Sequence, residues 1–445
     1  MPATIVLMVL FVCVIAGLSL IATTTLCWML YAWRDETGVP ITAVHSTGDE
    51  PRDRLSFSII VPARHEELVL ESTLRVLCKT SHPDVQIIVV VADDDERTRE
   101  AAARAAASFP EIIRIVLDRS AIKSKPASLN TGLSACTGDI VGVFDAEDLV
   151  HPDLLRVVEQ RMLSERLDAL QAGVQLMNFW SSWFAVRNVL EYFFWFRSRL
   201  HFQASRSFVP LGGNTVFVRR QLLEQLGGWD ANCLAEDCDL GVRLSVAAAR
   251  IGVIYDAGLV TREEVPTTVR EFMRQRTRWS QGFIQVYRKG DWARLPLRRQ
   301  RIFARYVLLS PVLQALIGII VPVSIGTAFW AKIPAGIALL TWIPTLPTLA
   351  TIAVELTVFG EFCRTFGATA RARDRFRLVL GAPPYQVLLA AAALRATWRE
   401  IRGSRSWEKT HHAGVHFDLV PTDIVSTAHR VIVLPSASVE PAQTR

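Results

Sequence analysis

The acidic group Asp145-Ala146-Glu147-Asp148 is the first pattern in this sequence that could support chemistry. Its Asp-x-Glu spacing puts the carboxylates of Asp145 and Glu147 on one turn. Hard divalent ions such as Mg²⁺ and Mn²⁺ bind one or two carboxylates together with phosphate oxygens. Such an ion would bridge a diphosphate and neutralise charge on a departing group. The alternative is a capped surface turn before a helix that begins near His151-Pro152-Asp153, where Pro suits the first turn.

Three consecutive aspartates, Asp93 to Asp95, follow the apolar run QIIVVVA. Asp94 or Asp95 can cap the following helix by accepting hydrogen bonds from its free backbone N–H groups. Three acids exceed what a cap requires, and this excess suggests a second role.

A second acidic pair, Glu236-Asp237, lies between a Gly-Gly-Trp-Asp turn (Gly227–Asp230) and a predicted helix start at Asp239-Leu240-Gly241. Acids at a helix start complement the helix dipole. The functional alternative is a general base beside an acceptor hydroxyl.

The segment Gln275-Arg276-Thr277-Arg278-Trp279 lies in a basic amphipathic stretch. Arg and Trp are common at membrane interfaces, which is one explanation of the pattern. The other is that Arg278 holds a pyrophosphate and Trp279 stacks on a sugar face.

Strands and helices alternate over residues 55–260 and would position these groups. The runs LSFSIIV, QIIVVVA, IIRIVL and DIVGVFD predict buried strands separated by helices. Continuous apolar strands of this kind indicate an α/β fold whose largely parallel sheet is covered on both faces. Ligands bind beyond the carboxyl ends of such strands, so Asp93–Asp95 and Asp145 are expected at one edge of the sheet.

Long uncharged runs predict membrane helices on both sides of this segment. Met1 to Trp33 carries no charged side chain and is long enough to span a bilayer. A cleaved signal peptide fits less well, because there is no basic n-region and the run is about twice too long. Tyr306–Ala331 and Ile333–Val354, of 26 and 22 residues, predict a hairpin that is broken at Lys332.

A further run, Leu378–Leu394, is only 17 residues long, contains Pro383-Pro384 and has arginines on both sides. Because Lys and Arg prefer the cytoplasmic face, a re-entrant or interfacial helix is favoured over a crossing. The same rule, applied to Arg34, predicts a multi-pass protein of the cell membrane with a cytoplasmic middle segment.

The composition agrees with a globular part joined to membrane helices. The 445 residues are 50% hydrophobic and 21% charged, which is too apolar for a wholly soluble chain. The net charge of +6 is too small to indicate a nucleic-acid partner. The seven cysteines form no CxxC pair and are expected to be reduced. Disordered chains, collagens and disulfide scaffolds are excluded.

The motifs form an ordered set: VPARHEE, ADDD, KPASLNTG, FDAED, LGGN, LGGWD, AEDCDLG and QRTRW. Together with the membrane flanks, this set resembles the inverting family 2 glycosyltransferases, in particular the membrane-embedded cellulose-synthase-like branch. The resemblance covers about Ser56 to Trp279. It implies a GT-A-type fold, a nucleotide-sugar donor such as a UDP-hexose, and a metal cofactor, Mg²⁺ or Mn²⁺.

The resemblance also implies roles for single residues. The resemblance implies that the nucleotide pocket is lined by Pro62, Ala63 and Glu66. It also implies that Asp93 and Asp94 contact the uracil-ribose side and that Lys125 lies near that side. At the metal and diphosphate it places Asp145 and Glu147. At the acceptor end it places the catalytic base Asp237, beside Glu236, and the closing residues Gln275, Arg278 and Trp279.

Three positions depart from the family pattern. His65 stands where Asn is usual, Ala92 where the first Asp of a pair is frequent, and Glu147 where the second Asp of DxD is usual. Glu147 keeps a carboxylate for the metal, whereas Ala92 leaves open which of Asp93–Asp95 touches the base.

Two further segments carry unusual patterns. Residues 407–412, WEKTHH, resemble a W-x-K-T-x-H segment of related synthases, and are either a loop over the nucleotide, with Lys409 at a phosphate, or a snorkelling basic tail. In Phe179 to Phe196, nine of eighteen residues are aromatic. Such a run is typical of a core or a bilayer-surface anchor, with a surface for the incoming acceptor as the alternative.

The predicted organisation follows from these patterns. It comprises a membrane helix (1–35), a GT-A domain (55–265), an interfacial segment (266–302), a hairpin (303–360), a re-entrant or membrane helix with the 407–412 segment (376–412), and a tail (413–445). The expected activity is processive synthesis of a β-linked polysaccharide, with single transfer to a glycolipid acceptor as the alternative. Three or four membrane helices are few for a pore, so a homodimer or accessory subunits could complete it. The alternative class of protein is a catalytically inactive receptor. Such a receptor is expected to lack the acidic residues, but they are present in this sequence.

Overall fold

Apolar runs separated by helices form a mixed sheet in this computed structural model, which describes residues 2–33, 54–330, 339–340 and 342–404. Seven strands join in the order β3-β2-β1-β4-β7-β5-β8, and β6 pairs with β9 in a separate parallel ribbon. The strands are β1 Phe57–Ala63, β2 Val85–Ala92, β3 Ile113–Asp118, β4 Ile140–Val143, β5 Ala169–Ala172, β6 Val174–Leu176, β7 Val216–Arg219, β8 Ile251–Ile254 and β9 Thr261–Glu263.

The four strands predicted from the sequence, β1 to β4, pair in parallel. Strand β7 enters antiparallel between β4 and β5, and β5 pairs in parallel with β8. The predicted α/β class is therefore confirmed, and the whole sheet is mixed, as in GT-A folds.

Helices account for most of the remaining described residues. They are α1 Pro2–Leu30, α2 Leu70–Leu77, α3 Glu96–Ser108, α4 Lys125–Leu133, α5 Leu154–Ser164, α6 Ala185–Phe194, α7 Leu200–Ser205, α8 Arg220–Gln225, α9 Glu236–Val246, α10 Val269–Lys289, α11 Arg298–Trp330, α12 Trp342–Thr365, α13 Ala372–Leu380 and α14 Ala382–Ile401.

The sheet is buried on both faces because successive side chains of a strand point to opposite sides. In β1, Phe57, Ile59 and Val61 pack with α2, α3 and α5 on one face. Ile60 packs with α4, α7 and α9 on the other. Because β1, β2 and β4 are parallel, their carboxyl ends lie at one edge of the sheet.

Three helical segments are long and apolar enough to cross a membrane: Phe11–Trp33, Arg298–Val323 and Ile343–Thr365. Helices α13 and α14 meet at 45° and together form either a broken span or a re-entrant element. The sequence predicted three spans and one re-entrant or interfacial segment, and the bend of that segment lies at Gly381, just before Pro383-Pro384.

The second arm of the hairpin extends further than the sequence indicated. The apolar run was predicted to end at Val354, before Glu355 and Glu361, but α12 continues to Thr365. Arg187 pairs with Glu355 in a two-point ion pair, and Arg197 pairs with Glu361 at 2.6 Å. Each of the two carboxylates on this helix therefore has an arginine partner.

The aromatic segment at 179–196 belongs mainly to a core, as its composition indicated. Phe184 and Phe193 are each 1% exposed and pack against Phe359 and Phe362 of α12. Trp180 and Trp183 differ, because they are 47% and 44% exposed.

Candidate active site

The sequence-predicted acids lie where three neighbouring parallel strands end. Asp93 directly follows β2, and Asp145 follows β4 by two residues. Pro62 and Ala63 are the last residues of β1 between them, and Glu66 follows as a buried side chain. One sheet edge therefore carries all of these positions.

Lys125 joins the acids at the centre of this edge. It is the first residue of α4, whose N-cap Ser124 accepts a hydrogen bond from the Ala127 N–H. The Nζ of Lys125 forms an ion pair with Asp145 and donates to the carbonyl oxygen of Gly213 at 2.7 Å. With only 15% of its side chain exposed, Lys125 is held at a defined place.

Glu236 and Asp237 begin α9 on the other side of Lys125. A Cβ atom at Gly213 would lie 3.5 Å from Asp237 Oδ2 and 3.6 Å from Lys125 Nζ. Asp237 Oδ2 and Lys125 Nζ therefore both lie close to Gly213. Asp145 and Asp237, fully 92 residues apart in sequence, share one charge cluster because Lys125 lies between them.

Burial sets the protonation of this cluster. It raises the pKa of Glu236 to about 8, with a further contribution from the Asp237 carboxylate, and it also raises the pKa of Asp237. Burial alone would lower the pKa of Lys125, but Asp145, Glu236 and Asp237 outweigh it and raise that pKa. The cluster keeps a cation and at least one carboxylic acid near neutral pH.

Arg278 of α10 brings a second cation to the same group. Burial lowers its pKa, and the carboxylates of Glu236, Asp145 and Asp237 oppose that effect. Two cations thus face Asp145, Asp237 and the protonated Glu236. Ammonium and guanidinium groups of this kind can also donate hydrogen bonds to a diphosphate.

The other residues of this α10 motif have different surroundings. Trp279 packs against the ring of Tyr192 at 6.0 Å and under the guanidinium of Arg276 at 4.8 Å. The Oε1 atom of Gln275 is buried without a hydrogen-bond partner among the described residues. An unpaired buried amide oxygen of this kind is a candidate contact for a bound ligand.

A buried polar network holds the loop that carries Asp145. The Asp145 N–H donates to Asp148 Oδ2 at 2.7 Å, and Asn214 Nδ2 donates to both oxygens of Asp148 at 3.0 Å. Asn214 also contacts Glu263 of β9. Burial raises the pKa of Asp148 well above its usual range, with contributions from Glu263, Asp145 and Glu147. Sequence reasoning gave Asp148 and Asn214 no role, although both lie within quoted motifs.

The predicted nucleotide end has three acids with three different partners. Asp93 pairs with Lys123 at 2.6 Å, and Asp94 pairs with Arg64 at 2.9 Å. Asp95 is the N-cap of α3 and accepts a hydrogen bond from Thr98 N–H. The capping alternative is thus confirmed for Asp95, while Asp93 and Asp94 remain at the surface. Lys123 rather than Lys125 is the lysine that contacts Asp93.

His65 also has a conformational explanation. Its φ is +54°, and its backbone N–H donates to Asp95 Oδ2. Among residues other than Gly, the left-handed region is enriched in Asn, Asp and His. His65 can therefore keep a backbone turn in which Asn is the usual residue.

The donor set at Asp145 and Glu147 fits a hard divalent ion. Glu147 is buried, and Asp145 is the carboxylate that faces Lys125. Within residues 2–33, 54–330, 339–340 and 342–404, three or more His, Cys, Asp or Glu side chains do not converge as a closed metal cage. An ion here would need phosphate and water oxygens as well, which is how Mg²⁺ is usually bound. The 407–412 segment and the 413–445 tail lie outside the described residues.

Comparisons with known proteins identify the family and the fold of this chain. The sequence profile described as Glycosyltransferase like family 2 matches residues 51–282. A beta-monoglucosyldiacylglycerol synthase of Synechocystis is 28% identical over 235 residues, 52% of this chain and 48% of that protein. A UDP-forming cellulose synthase catalytic chain of Dictyostelium discoideum is 26% identical over 156 residues, 35% of this chain and 14% of that protein.

A solved structure shows a similar fold. The mannosyltransferase PcManGT from Pyrobaculum calidifontis, in complex with GDP-Man and Mn²⁺, has a TM-score of 0.57 and 20% identity. The match covers 87% of this chain and 99% of that one. The GT-A-type arrangement is thereby confirmed. The chain spans about half the length of the Synechocystis synthase, 48% of it.

Proposed function

The chain belongs to glycosyltransferase like family 2, and from this premise we propose that it transfers a sugar from a nucleotide-sugar donor to an acceptor at a membrane surface. The observation that carries the proposal is the cluster of Lys125, Asp145, Asp237 and Arg278 at the carboxyl edge of the sheet. It combines a candidate base with two cations that suit a diphosphate. The donor is proposed to be a UDP-hexose.

Asp237 is proposed as the general base. Its carboxylate takes the proton of an acceptor hydroxyl, whose oxygen then bonds to the anomeric carbon. The bond from that carbon to the diphosphate oxygen breaks, and its electron pair leaves with the diphosphate. Attack from the face opposite the leaving group inverts the anomeric centre, so an α-linked donor gives a β-linked product.

The two cations are proposed to act on the leaving group. Arg278 and Lys125 would stabilise the negative charge that develops on the departing diphosphate. Glu236, protonated near neutral pH, adds no second negative charge next to Asp237. Pro62, Ala63, Glu66, Asp93 and Asp94 are proposed to line the nucleotide end, and Gln275 and Trp279 the acceptor end.

A divalent ion is proposed at Asp145 and Glu147. When bound, Mg²⁺ or Mn²⁺ would neutralise phosphate charge and orient the donor. This proposal is supported by the oxygen donors at the end of β4 and by the Mn²⁺ in the mannosyltransferase complex.

A membrane lipid is the acceptor we favour, with one sugar added per lipid. Support comes from the Synechocystis relative, whose name describes a glucosyldiacylglycerol synthase. Processive polysaccharide synthesis is the second candidate, supported by the cellulose synthase relative. It would require a homodimer or accessory subunits to enclose a channel. In either case the domain is proposed to face the cytoplasm of a multi-pass membrane protein.

The test uses the full chain in detergent with Mn²⁺, a panel of UDP- and GDP-sugars, and diacylglycerol as acceptor. We expect nucleoside diphosphate release with one donor and a labelled glycolipid of one added sugar. A glycosidase-sensitive polymer would favour the processive candidate. Absence of nucleotide release with every donor, from protein whose melting temperature is normal, would overturn the transferase proposal.

A further inference from the structure

A cleft outside the candidate active site lies between the aromatic segment and helix α13. It is a small cleft of about 10 Å³, open to solvent, with room for one water-sized group. Its lining includes Trp180, Ser182, Trp183, Arg187 and Arg377. Hydrogen-bond donors and aromatic rings therefore meet at one place.

Two buried polar atoms of this lining have no hydrogen-bond partner within the part of the chain that the structure describes. They are Ser182 Oγ and Arg187 Nε. Arg187 is only 8% exposed. Buried donors are nearly always paired in native proteins, so two orphans in one cleft indicate a missing acceptor group.

The remaining bonds of Arg187 hold it in place. Its Nη1 and Nη2 donate to the two oxygens of Glu355, and Nη2 also donates to the carbonyl oxygen of Leu378 at 2.8 Å. The ion pair with Glu355 compensates the charge of Arg187 and leaves Nε–H as a fixed donor.

Arg377 supplies the cation that the cleft can offer to a ligand. Its side chain is 60% exposed, and its nearest acid is Asp374, whose Oδ1 lies 3.9 Å away. This distance is too long for a hydrogen bond. Arg377 can therefore donate to an acceptor that carries negative charge.

The surroundings identify the kind of molecule that carries this acceptor. Trp180 and Trp183 are half exposed beside the cleft, and Phe376 and Leu380 of α13 are 64% and 58% exposed. Exposed Trp, Phe and Arg side chains together are typical of the headgroup level of a bilayer. The α12 partner of Arg187, Glu355, lies in a candidate span. At that level the abundant anionic acceptor is a phosphate diester.

We propose that this cleft binds the phosphate group of a membrane phospholipid, with Arg377, Ser182 and Arg187 Nε as donors and the two tryptophans beside the glycerol and acyl chains. The site is separate from the Lys125 cluster, and the proposal does not depend on the transferase activity. The proposal also accounts for the exposure of Trp180 and Trp183, which packing in a buried core does not.

The test measures binding of dihexanoyl-phosphatidylglycerol to the full chain in detergent by titration calorimetry. We expect saturable binding that Arg377→Ala weakens about tenfold, which corresponds to about 1.4 kcal/mol. Ser182→Ala should weaken it as well. Arg373→Ala is the matched control, because its side chain lies on the same helix with 64% exposure and is not part of the lining. It should change the affinity less than twofold.

Two further titrations distinguish a lipid phosphate from a phosphate that is free in solution. Inorganic phosphate and glycerol 1-phosphate should bind at least tenfold more weakly than the lipid. Equal binding of free phosphate, equal losses in Arg373→Ala and Arg377→Ala, or no binding of the lipid would each overturn the proposal. Melting temperatures of all variants identify any that fail to fold, and Ser182→Ala then serves in place of Arg377→Ala.

Discussion

Arg276 and Glu191 form a two-point ion pair, with Nη1 2.7 Å from Oε1 and Nη2 2.8 Å from Oε2, that joins helix α10 to helix α6. Tyr385 of α14 also donates to Glu191 Oε2. Arg276 lies between Gln275 and Arg278 in the sequence, so this network sets the orientation of the helix that carries Arg278 to the acids. Arg276 is thus a positioning residue.

Replacement of Arg276 by Ala should lower kcat about tenfold while the KM for the donor changes little, because the helix is misaligned but the nucleotide end is intact. The free energy of unfolding should fall by about 2–3 kcal/mol, less than the 3–5 kcal/mol of a fully buried pair, since the Glu191 side chain is 39% exposed. Arg276→Lys should restore part of kcat. Steady-state kinetics and urea unfolding provide the measurements, and an equal loss in the control Arg274→Ala would contradict the positioning role.

The Asp237→Asn variant tests the general base. Turnover should fall by about 10²–10⁴-fold, the range attributed to a positioned base. The Kd of the donor should change less than threefold, because Asn keeps the shape of the side chain. Nucleotide release and donor calorimetry measure the two quantities. Near-normal turnover would remove Asp237 from this role, and Asp291→Asn, on the turn after α10, is the control.

The raised pKa of Glu236 predicts a pH dependence of stability. The folded state keeps this proton up to about pH 8, whereas the unfolded chain loses it near pH 4.3. Unfolding therefore releases a proton between these values, and stability falls as pH rises through that window. Glu236→Gln should flatten the slope, because the neutral amide does not titrate.

Urea midpoints at pH 5, 6, 7, 8 and 9 check this prediction. The variant should gain stability relative to the unmodified chain as pH rises, with no further gain above pH 8. The exposed Glu224→Gln is the control, and a constant difference across the series would show that Glu236 does not titrate there.

Asp145 should govern the metal requirement. In Asp145→Asn the Mn²⁺ concentration for half-maximal activity should rise at least tenfold, because a carboxylate ligand is replaced by a weaker neutral oxygen. Activity should disappear with EDTA and return with Mn²⁺ in the unmodified chain. By contrast, Asp94→Asn should raise the donor KM without shifting the Mn²⁺ midpoint. Full activity in EDTA would contradict a metal at this site.

Gly282 of α10 allows this helix to approach the start of α9. A Cβ atom there would lie 2.4 Å from Ala235 Cβ and 2.6 Å from Ala235 N. Helix propensity alone predicts that Gly282→Ala stabilises by about 0.5–1 kcal/mol. We expect the opposite sign, a loss of about 1–3 kcal/mol from overpacking, together with reduced turnover because Ala235 precedes Glu236.

Thermal unfolding decides the sign for Gly282→Ala. Gly17→Ala in α1 is the matched control, because nothing lies within 4 Å of its added Cβ. A higher melting temperature for Gly282→Ala would show that α10 moves without cost to the site.

The sequence alone determined the first four strands, the alternation of helices with them, and the apolar runs of membrane length. These features are local patterns: apolar strands of β-branched residues, the acids after β2 and β4, and uncharged runs of membrane length. Local patterns predict structure because each apolar residue in them is stabilised by its own burial. The parallel first half of the sheet followed from the alternation of strands and helices. The position of β7 did not, because an antiparallel insertion leaves no local signal in four residues.

Only the tertiary structure decided which charges meet. Lys125 belongs to a motif that could have served the nucleotide end, yet its side chain forms an ion pair with Asp145 beyond β4. Glu355 marked the end of a span in the sequence, but Arg187, 168 residues away, pairs with it and lets the helix continue. Charge pairing acts between side chains that are distant in sequence, and their distance in space is set by packing, which no single stretch of sequence contains.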